Sequence, residues 1–545
     1  MLCRILKIII FMTCFHDVVI YAADPIQTAV DSVVRITILH TNDTHGHYQK
    51  DQRSRACGFA AQKSLVDEIR KEVAREGGHL LILSAGDINT GAPESGFFRA
   101  EPDIISMNII GYDAMTLGNH EFDGDLDKIF KQQALAKFPF LSANTYLKKE
   151  KKLLVKPYII KRFGGLHIGV IGFTTTQTGN MTLIPNIEFR DVFLTAEELV
   201  PQLRKQVDFI IALTHLGFYL NNEDGLHGFG DIELAKSMHG QIDVIIGGHT
   251  HTRLDRAYIV ASTAILQAWE HGKVLGRVDL IFKNKKFISL DYKLIPINPE
   301  EDSDLDTKVQ LLQVSHSGQQ KKIVPEDPEL LHLFEQYNER IKDRFTKRIT
   351  RSKGFFWGRS SAPRGETNLG RLVSQAFCEE ASGKVCFVKT GALRIDLVPG
   401  DLTYSTLEKL MPFHNRMCKV ELSTSDFVKF IETLLRQNSE DDVHFFGIKF
   451  RLLNGSIMML TVTDSKGTRA LVSDFKIMRE EDIQVVSSCY LMSGKDNSVD
   501  ASNFSSFVRT DFIDTNIVEN FLRKKQEINP EDYATPSRVD HSDEL

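Results

Sequence analysis

The chain has 545 residues, 42% of them hydrophobic, with 66 basic and 72 acidic side chains and a formal net charge of −6. That length and apolar content suffice for at least two ordinary cores. The slightly acidic balance leaves no basic face for a nucleic-acid polymer, and beyond the N-terminus no apolar run approaches the length of a membrane helix, so a mature chain with no membrane span is expected.

At the N-terminus Arg4 and Lys7 precede an apolar stretch from Ile8 to Phe15, and Ala22 and Ala23 offer a cleavage point. Residues 1–23 therefore read as a secretory signal peptide, because His16 and Asp17 interrupt an apolar region already too short to span a bilayer. A secreted or periplasmic location follows. Cleavage removes Cys3 and Cys14 and leaves Cys57, Cys378, Cys386, Cys418 and Cys489, an odd number that cannot all pair. The four in the second half allow one or two bridges or are simply buried thiols, and their spacing does not choose.

Four runs, Ile36 to Leu39, Leu80 to Leu83, Phe209 to Leu213 and Val244 to Ile246, are apolar and β-branched, as parallel strands covered on both faces should be. Each is followed by a short polar segment: Asp43-Thr-His45, Gly86-Asp87, Thr214-His215 and Gly248-His249-Thr250-His251. A fifth, Gly118-Asn119-His120-Glu121, ends another apolar stretch. Open α/β sheets gather ligands at the carboxyl ends of their strands, so separate stretches can converge there on one pocket. Any one of these segments alone is more often surface or satisfied core. Together they offer a bridging carboxylate with imidazole, amide and carboxylate ligands on either side, which suits two divalent ions about 3.5–4 Å apart and in-line displacement at phosphorus.

Residues from about Asn298 to Asp327 are charged and carry Pro and Ser-Gly signals of a linker. Leu330, Phe334, Tyr337, Ile341 and Phe345 then recur at helical spacing, which predicts a connecting helix closing at Lys347-Arg348 ahead of Gly354.

The segments Leu39 to Gly46, Gly86 to Gly91, Thr116 to Asp123 and Gly247 to His251 resemble, almost letter for letter, the metal blocks of the calcineurin-like metallophosphoesterases, and within them of the 5′-nucleotidase/UDP-sugar hydrolase family. The resemblance implies an α/β fold: an αββα-sandwich catalytic domain over 34–298, a linker and connecting helix over 299–353, a smaller α+β substrate-binding domain over 354–524 and a charged tail over 525–545. It implies two divalent metal ions such as Zn, Mn or Co, one held by Asp43, His45 and His251, the other by Asn119, His215 and His249, with Asp87 between them. Many relatives carry Gln or Asn where His251 stands, so the first site is richer in nitrogen here. His120 and Asp123 resemble the family's catalytic dyad, in which a carboxylate behind an imidazole fixes its tautomer and favours its protonated form. A metal-bound hydroxide would be the nucleophile, so no Ser or Cys is required.

Asn368-Leu-Gly-Arg371, the stretch from Gly391 to Tyr404 and Met411-Pro-Phe413-His-Asn415 resemble the family's substrate domain. By that resemblance Arg359, Arg364 and Arg394 bind the anionic end or ribose, Arg364 standing one residue off its usual place, and Phe413 stacks on a base beside Asn415. The family's second aromatic and its Gly-Gly-Asp-Gly-Tyr turn are missing from the stretch Tyr490 to Phe504; Phe504 or Phe507 closes the clamp, or nothing does, and core packing is the plainer reading of Phe504.

The expected activity is hydrolysis of nucleotide phosphate esters, nucleoside monophosphates first and UDP-sugars or nucleoside polyphosphates besides. The alternative keeps the same centre for a 2′,3′-cyclic nucleotide phosphodiesterase/3′-nucleotidase or a thiosulfohydrolase. A catalytically silent binding protein is disfavoured, since binding alone would not call for a bridging carboxylate and the His120–Asp123 pair. The last residues, His541-Ser-Asp-Glu-Leu545, resemble an endoplasmic-reticulum retrieval tail, which would mean the ER lumen in a eukaryotic source; a disordered charged end looks the same. Neither oligomeric state nor native metal is written in these residues.

Overall fold

The computed structural model describes residues 33–50, 57–220, 229–298, 323–358, 365–438, 442–496 and 498–538. The expected signal peptide, most of the linker, Arg359, Arg364 and the Ser-Asp-Glu-Leu terminus lie outside the described residues.

Twelve strands of the first half build two sheets: β1 (Val33–Thr41), β2 (His79–Ser84), β3 (Ala114–Thr116), β4 (Phe140–Leu141), β5 (Tyr158–Phe163), β6 (Leu166–Thr174), β7 (Phe209–His215), β8 (Val244–Gly247), β9 (Tyr258–Val260), β10 (Thr263–Gln267), β11 (Val274–Lys283) and β12 (Lys286–Pro296). One sheet runs β12-β11-β1-β2-β3-β4 and the other β9-β10-β8-β7-β6-β5. In each the central strands are parallel; antiparallel strands close one edge of the first sheet, whose other edge strand β4 is parallel, and both edges of the second. Strand alternation explains why both faces are apolar. Ile36, Ile38, Leu81, Leu83, Phe209, Ile211 and Leu213 meet in the core between the sheets, while Leu39 and Ile82 pack outward against the helix Gly58–Arg75, and Ile210 and Ala212 against the helices Val192–Arg204 and Asp231–Met238. Helices thus cover both outer faces of two facing sheets, the expected αββα sandwich, and the parallel arrangement brings the carboxyl ends of β1, β2, β3, β7 and β8 to one edge.

The second half is α+β. Its five-stranded mixed sheet runs Val443–Phe446, Val385–Lys389, Asp482–Ser488, Arg416–Ser423, Val508–Ile513. The helices Asn368–Ala381 and Asp514–Arg523 pack on one face, and the helix Thr424–Gln437 with a four-stranded sheet on the other. Between the halves, the helix Pro328–Thr346 is capped by Asp327, whose carboxylate accepts from the amides of Glu329 and Leu330 at 3.1 Å. Its buried residues are the five of the sequence pattern; Leu330 and Phe334 enter the first half's core and Tyr337, Ile341 and Phe345 the second's. One helix therefore belongs to two cores. Among the described residues no helix is long and apolar enough to cross a membrane.

The cysteines resolve as two bridges. Cys378 pairs with Cys386, Cα atoms 5.5 Å apart, and Cys418 with Cys489, 4.7 Å apart, while Cys57 is buried and unbridged. The Cys418–Cys489 bridge closes a separation of 71 residues. Replacing both with Ser is expected to cost about 4 kcal/mol through the unfolded chain's regained freedom. Calorimetry reads this as a lower Tm, and an unshifted transition would show that the bridge constrains nothing.

Candidate metal centre and interdomain cleft

The loops after β1 and β2 are laced together: the amides of Asp43, His45 and Gly46 donate to the carbonyls of Gly86, Asp87 and Ile88 at 3.0, 3.0 and 2.8 Å. Asp43, His45, Asp87, His249 and His251 all adopt left-handed φ, between 49° and 79°. Non-glycine residues rarely do so, at about 1–3 kcal/mol each, and such strain collects where side chains must be aimed. Small neighbours make room. A Cβ at Gly118 would run into the Asp87 carboxylate, and one at Gly248 would lie 2.9 Å from His215 Nδ1 and 3.0 Å from Asp43 Oδ2.

The side chains converge with their lone pairs inward. His45 Nδ1 donates to the Thr90 carbonyl at 2.7 Å, His215 Nδ1 to the Ala85 carbonyl at 2.7 Å and His251 Nδ1 to Glu270 Oε2 at 2.6 Å. Each of these three rings therefore turns its Nε2 into the cluster. The Nε2 atoms of His45 and His251 stand 3.0 Å apart, with Asp43 Oδ1 3.3 Å from the latter. His215 Nε2 faces Asp87 Oδ2 at 2.9 Å and Asn119 Oδ1 at 3.2 Å, and Asn119 Oδ1 is 2.8 Å from His249 Nδ1. Imidazole nitrogens packed against one another and against carboxylates need positive charge between them, a proton or a metal cation. The charges agree. Asp43 and Asp87 are buried, and among the described residues their ion-pair partners are histidines, not Lys or Arg. Burial alone would lower the His215 pKa, yet the carboxylates of Asp87 and Asp43 push it up to about 10. Burial does win at His45 and His249, which drop to about 4 and stay neutral donors. Among the described residues three overlapping groups, Asp43–His45–His251, His45–Asp87–His120 and Asp87–His215–His249, are close enough to hold an ion. The donor set fits divalent cations.

His120 is half-buried beside this cluster. Its amide donates to Asp87 Oδ1 at 2.8 Å, and its Nδ1 lies 2.5 Å from Asp123 Oδ2, which also accepts from Thr90 Oγ1 at 2.7 Å. Burial alone would lower its pKa, but Asp123 and Asp87 outweigh that and raise it to about 9. Two carboxylates here had no role in the sequence reading. Glu121, fully buried, accepts from the amides of Asp87, Ile88 and Gly118 at 2.9, 3.0 and 2.6 Å and so pins the second loop to the third. It stood in a quoted motif, yet nothing in its spacing separates a loop clamp from a ligand. Glu270, on the loop after β10, holds His251 and is itself paired with Lys273 at 2.7 Å; no pattern marks it. Glu270→Gln is expected to weaken metal affinity about 10–100-fold, as loss of a ligand's orienting partner does. Calorimetric titration with Mn reads this, and unchanged affinity would remove Glu270 from the centre.

A cleft of about 1010 Å³ opens between the halves, lined by Asn119, His120 and Asp123 on one side and by Arg394, Phe413 and Asn415 on the other. The Phe413 ring is nearly parallel to that of His120, centroids 6.2 Å apart, and the Arg394 guanidinium lies 5.7 Å from the Phe413 centroid. Phe504 is elsewhere. Partly buried, it packs with Phe507 against the second half's core and does not line the cleft. The aromatic from that stretch which does line the cleft is Tyr490. It precedes the expected position, and only the bridge at neighbouring Cys489, which fixes this segment to the strand Arg416–Ser423, shows why it faces the opening.

Residues 36–253 match the calcineurin-like phosphoesterase family model and residues 347–503 the 5′-nucleotidase C-terminal domain model. A 5′-nucleotidase of Vibrio parahaemolyticus is 33% identical over 535 residues, which cover 93% of this chain and 92% of that one. The chain belongs to the 5′-nucleotidase family of metallophosphoesterases. A protein UshA of Yersinia enterocolitica is 35% identical over 93% of this chain and 94% of its own. Among solved structures, a 5′-nucleotidase precursor from Thermus thermophilus superposes with a TM-score of 0.65 at 24% identity, covering 91% of this chain and 97% of that one, which is the same fold. The family consists of hydrolases that use divalent metal ions, and the Asp and His groups above could bind them.

Proposed function

We propose that the chain is a dimetal 5′-nucleotidase that is exported from the cytoplasm. Asp43, His45 and His251 would hold one ion, Asn119, His215 and His249 the other, and Asp87 both; Mn, Co and Zn suit this mixture of imidazole, amide and carboxylate. The observation that carries the reading is the orientation of the rings, because three donate Nδ1–H outward and turn Nε2 toward one another and toward carboxylate and amide oxygens. When bound, the ions would polarise the phosphoryl group and lower the pKa of water. The chain's own part is positional. His120, kept protonated by Asp123, donates to the charge that develops on the phosphoryl oxygens. Phe413 and Tyr490, both on the cleft, would stack on the base, with Tyr490 in place of Phe504, and Arg394 with Asn415 would bind the anionic end or ribose.

Phosphate release from AMP, UDP-glucose, 2′,3′-cyclic AMP and p-nitrophenyl phosphate tests this. AMP should be among the best substrates. Preference for the cyclic ester, or activity on the generic ester alone, would replace the reading. Phe413→Ala is expected to raise KM for AMP about tenfold, the value of one base–aromatic stack, with a much smaller change for p-nitrophenyl phosphate. Equal changes for both would mean that Phe413 does not touch a base.

A further inference from the structure

Lys128 is placed where a lysine has little reason to be. It stands in the first turn of the helix Leu126–Leu135, where the backbone dipole already puts positive charge, and it is only 9% exposed. Its ammonium has three hydrogens to give. One goes to the Asp123 carbonyl at 3.1 Å. Among the described residues no carboxylate comes within ion-pairing distance; those of Asp123, Glu121 and Asp125 act on it only at longer range. A nearly buried ammonium with one neutral acceptor is costly unless something else accepts from it. That partner has a way in, because Lys128 lines the interdomain cleft.

The position separates Lys128 from the reacting phosphoryl group. His120 contacts the Asp123 carboxylate, whereas Lys128 contacts the Asp123 backbone carbonyl, so Asp123 stands between the ammonium and the imidazole. His414 lines the same cleft; its Nε2 lies 2.8 Å from the buried Glu408 carboxylate and its ring feels the charge of Lys128. Lys128 and His414 thus bring two basic groups to the same cleft.

We infer that Lys128 forms a second anion subsite in the cleft, binding a phosphate of the substrate other than the one being hydrolysed, and so favours nucleoside diphosphate groups over monophosphates. This rests on the nucleotidase reading above. A lysine acts there as a compact charge, which Arg can replace and Met, of similar length, cannot.

The test is competition against p-nitrophenyl phosphate hydrolysis by orthophosphate, AMP and ADP, in the parent, Lys128→Met and Lys128→Arg. Lys128→Met should raise the inhibition constant of ADP about tenfold, the value of one charge-assisted hydrogen bond, and those of orthophosphate and AMP by no more than about twofold, with Lys128→Arg close to the parent. Equal rises for ADP and orthophosphate would show that Lys128 merely supports Asp123 and His120, and unchanged ADP inhibition would show that no subsite exists; either overturns the inference. Failure of the nucleotide reading itself looks different, because then neither AMP nor ADP would inhibit the parent while orthophosphate still did.

Discussion

Asp87→Asn should lose about three orders of magnitude or more in turnover on AMP, the several kcal/mol that a Lewis-acid centre contributes, and should hold fewer than two metal ions per chain. Asp87 is the group through which the parts of the centre meet. Its carboxylate faces His215 at 2.9 Å, accepts the His120 amide at 2.8 Å and lies among Asp and His groups on both sides. Asparagine keeps the shape and removes the charge, so neither ion would be balanced in a site where Asp43 and Asp87 are the buried carboxylates that face the imidazoles. Folding should survive, because both loops remain pinned through the amides of Asp87 and Ile88 on Glu121. Circular dichroism and elemental analysis on the same sample separate the outcomes: a folded, metal-depleted, inactive variant supports the assignment, and a variant with full metal and full activity removes Asp87 from the centre.

His120→Ala should behave differently. A donor aimed at developing phosphoryl charge is worth about 10²–10³ in turnover, and on the proposed reading, in which His120 acts on that charge and holds no ion, its loss should leave bound metal nearly unchanged. The ring lies between Asp123, 2.5 Å away, and Phe413, 6.2 Å away across the cleft, which is where a group touching both the phosphoryl group and a base-binding wall should lie. Unaltered turnover would exclude it from the reaction, and lost metal would make it a ligand. The contrast between Asp87 and His120 therefore distinguishes holding the ions from using them.

Much of the catalytic half was legible because its signal is local. The apolar runs at Ile36, Leu80, Phe209 and Val244 became parallel strands, and the polar residues that follow each of them lie at one edge, since strand ends and their loops are adjacent in sequence. The connecting helix was legible for the same reason: Leu330 to Phe345 repeat on one face whatever they pack against. The positioning residues were not. Glu121 and Glu270 act through contacts with Asp87 and His251 whose sequence separation carries no pattern. The second aromatic of the cleft stayed open in the sequence because a ring's direction depends on what anchors its segment. Phe504 and Tyr490 both pack on the second half's core, but of the two only Tyr490, next to a cysteine bridged 71 residues back, also lines the cleft. The bridges themselves were open between pairing and buried thiols, and only the approach of Cα atoms to 5.5 and 4.7 Å decides it.

The most direct measurement is a metal titration of AMP hydrolysis. The purified chain is stripped with chelator until elemental analysis finds no transition metal, and phosphate release is followed as Mn, Co or Zn is added back in fractions of an equivalent. Activity should be absent without metal and should rise to a plateau at about two equivalents per chain, as a centre of two adjacent ions requires. Hydrolysis of AMP by the metal-free protein, or a plateau at a single equivalent, would contradict the account.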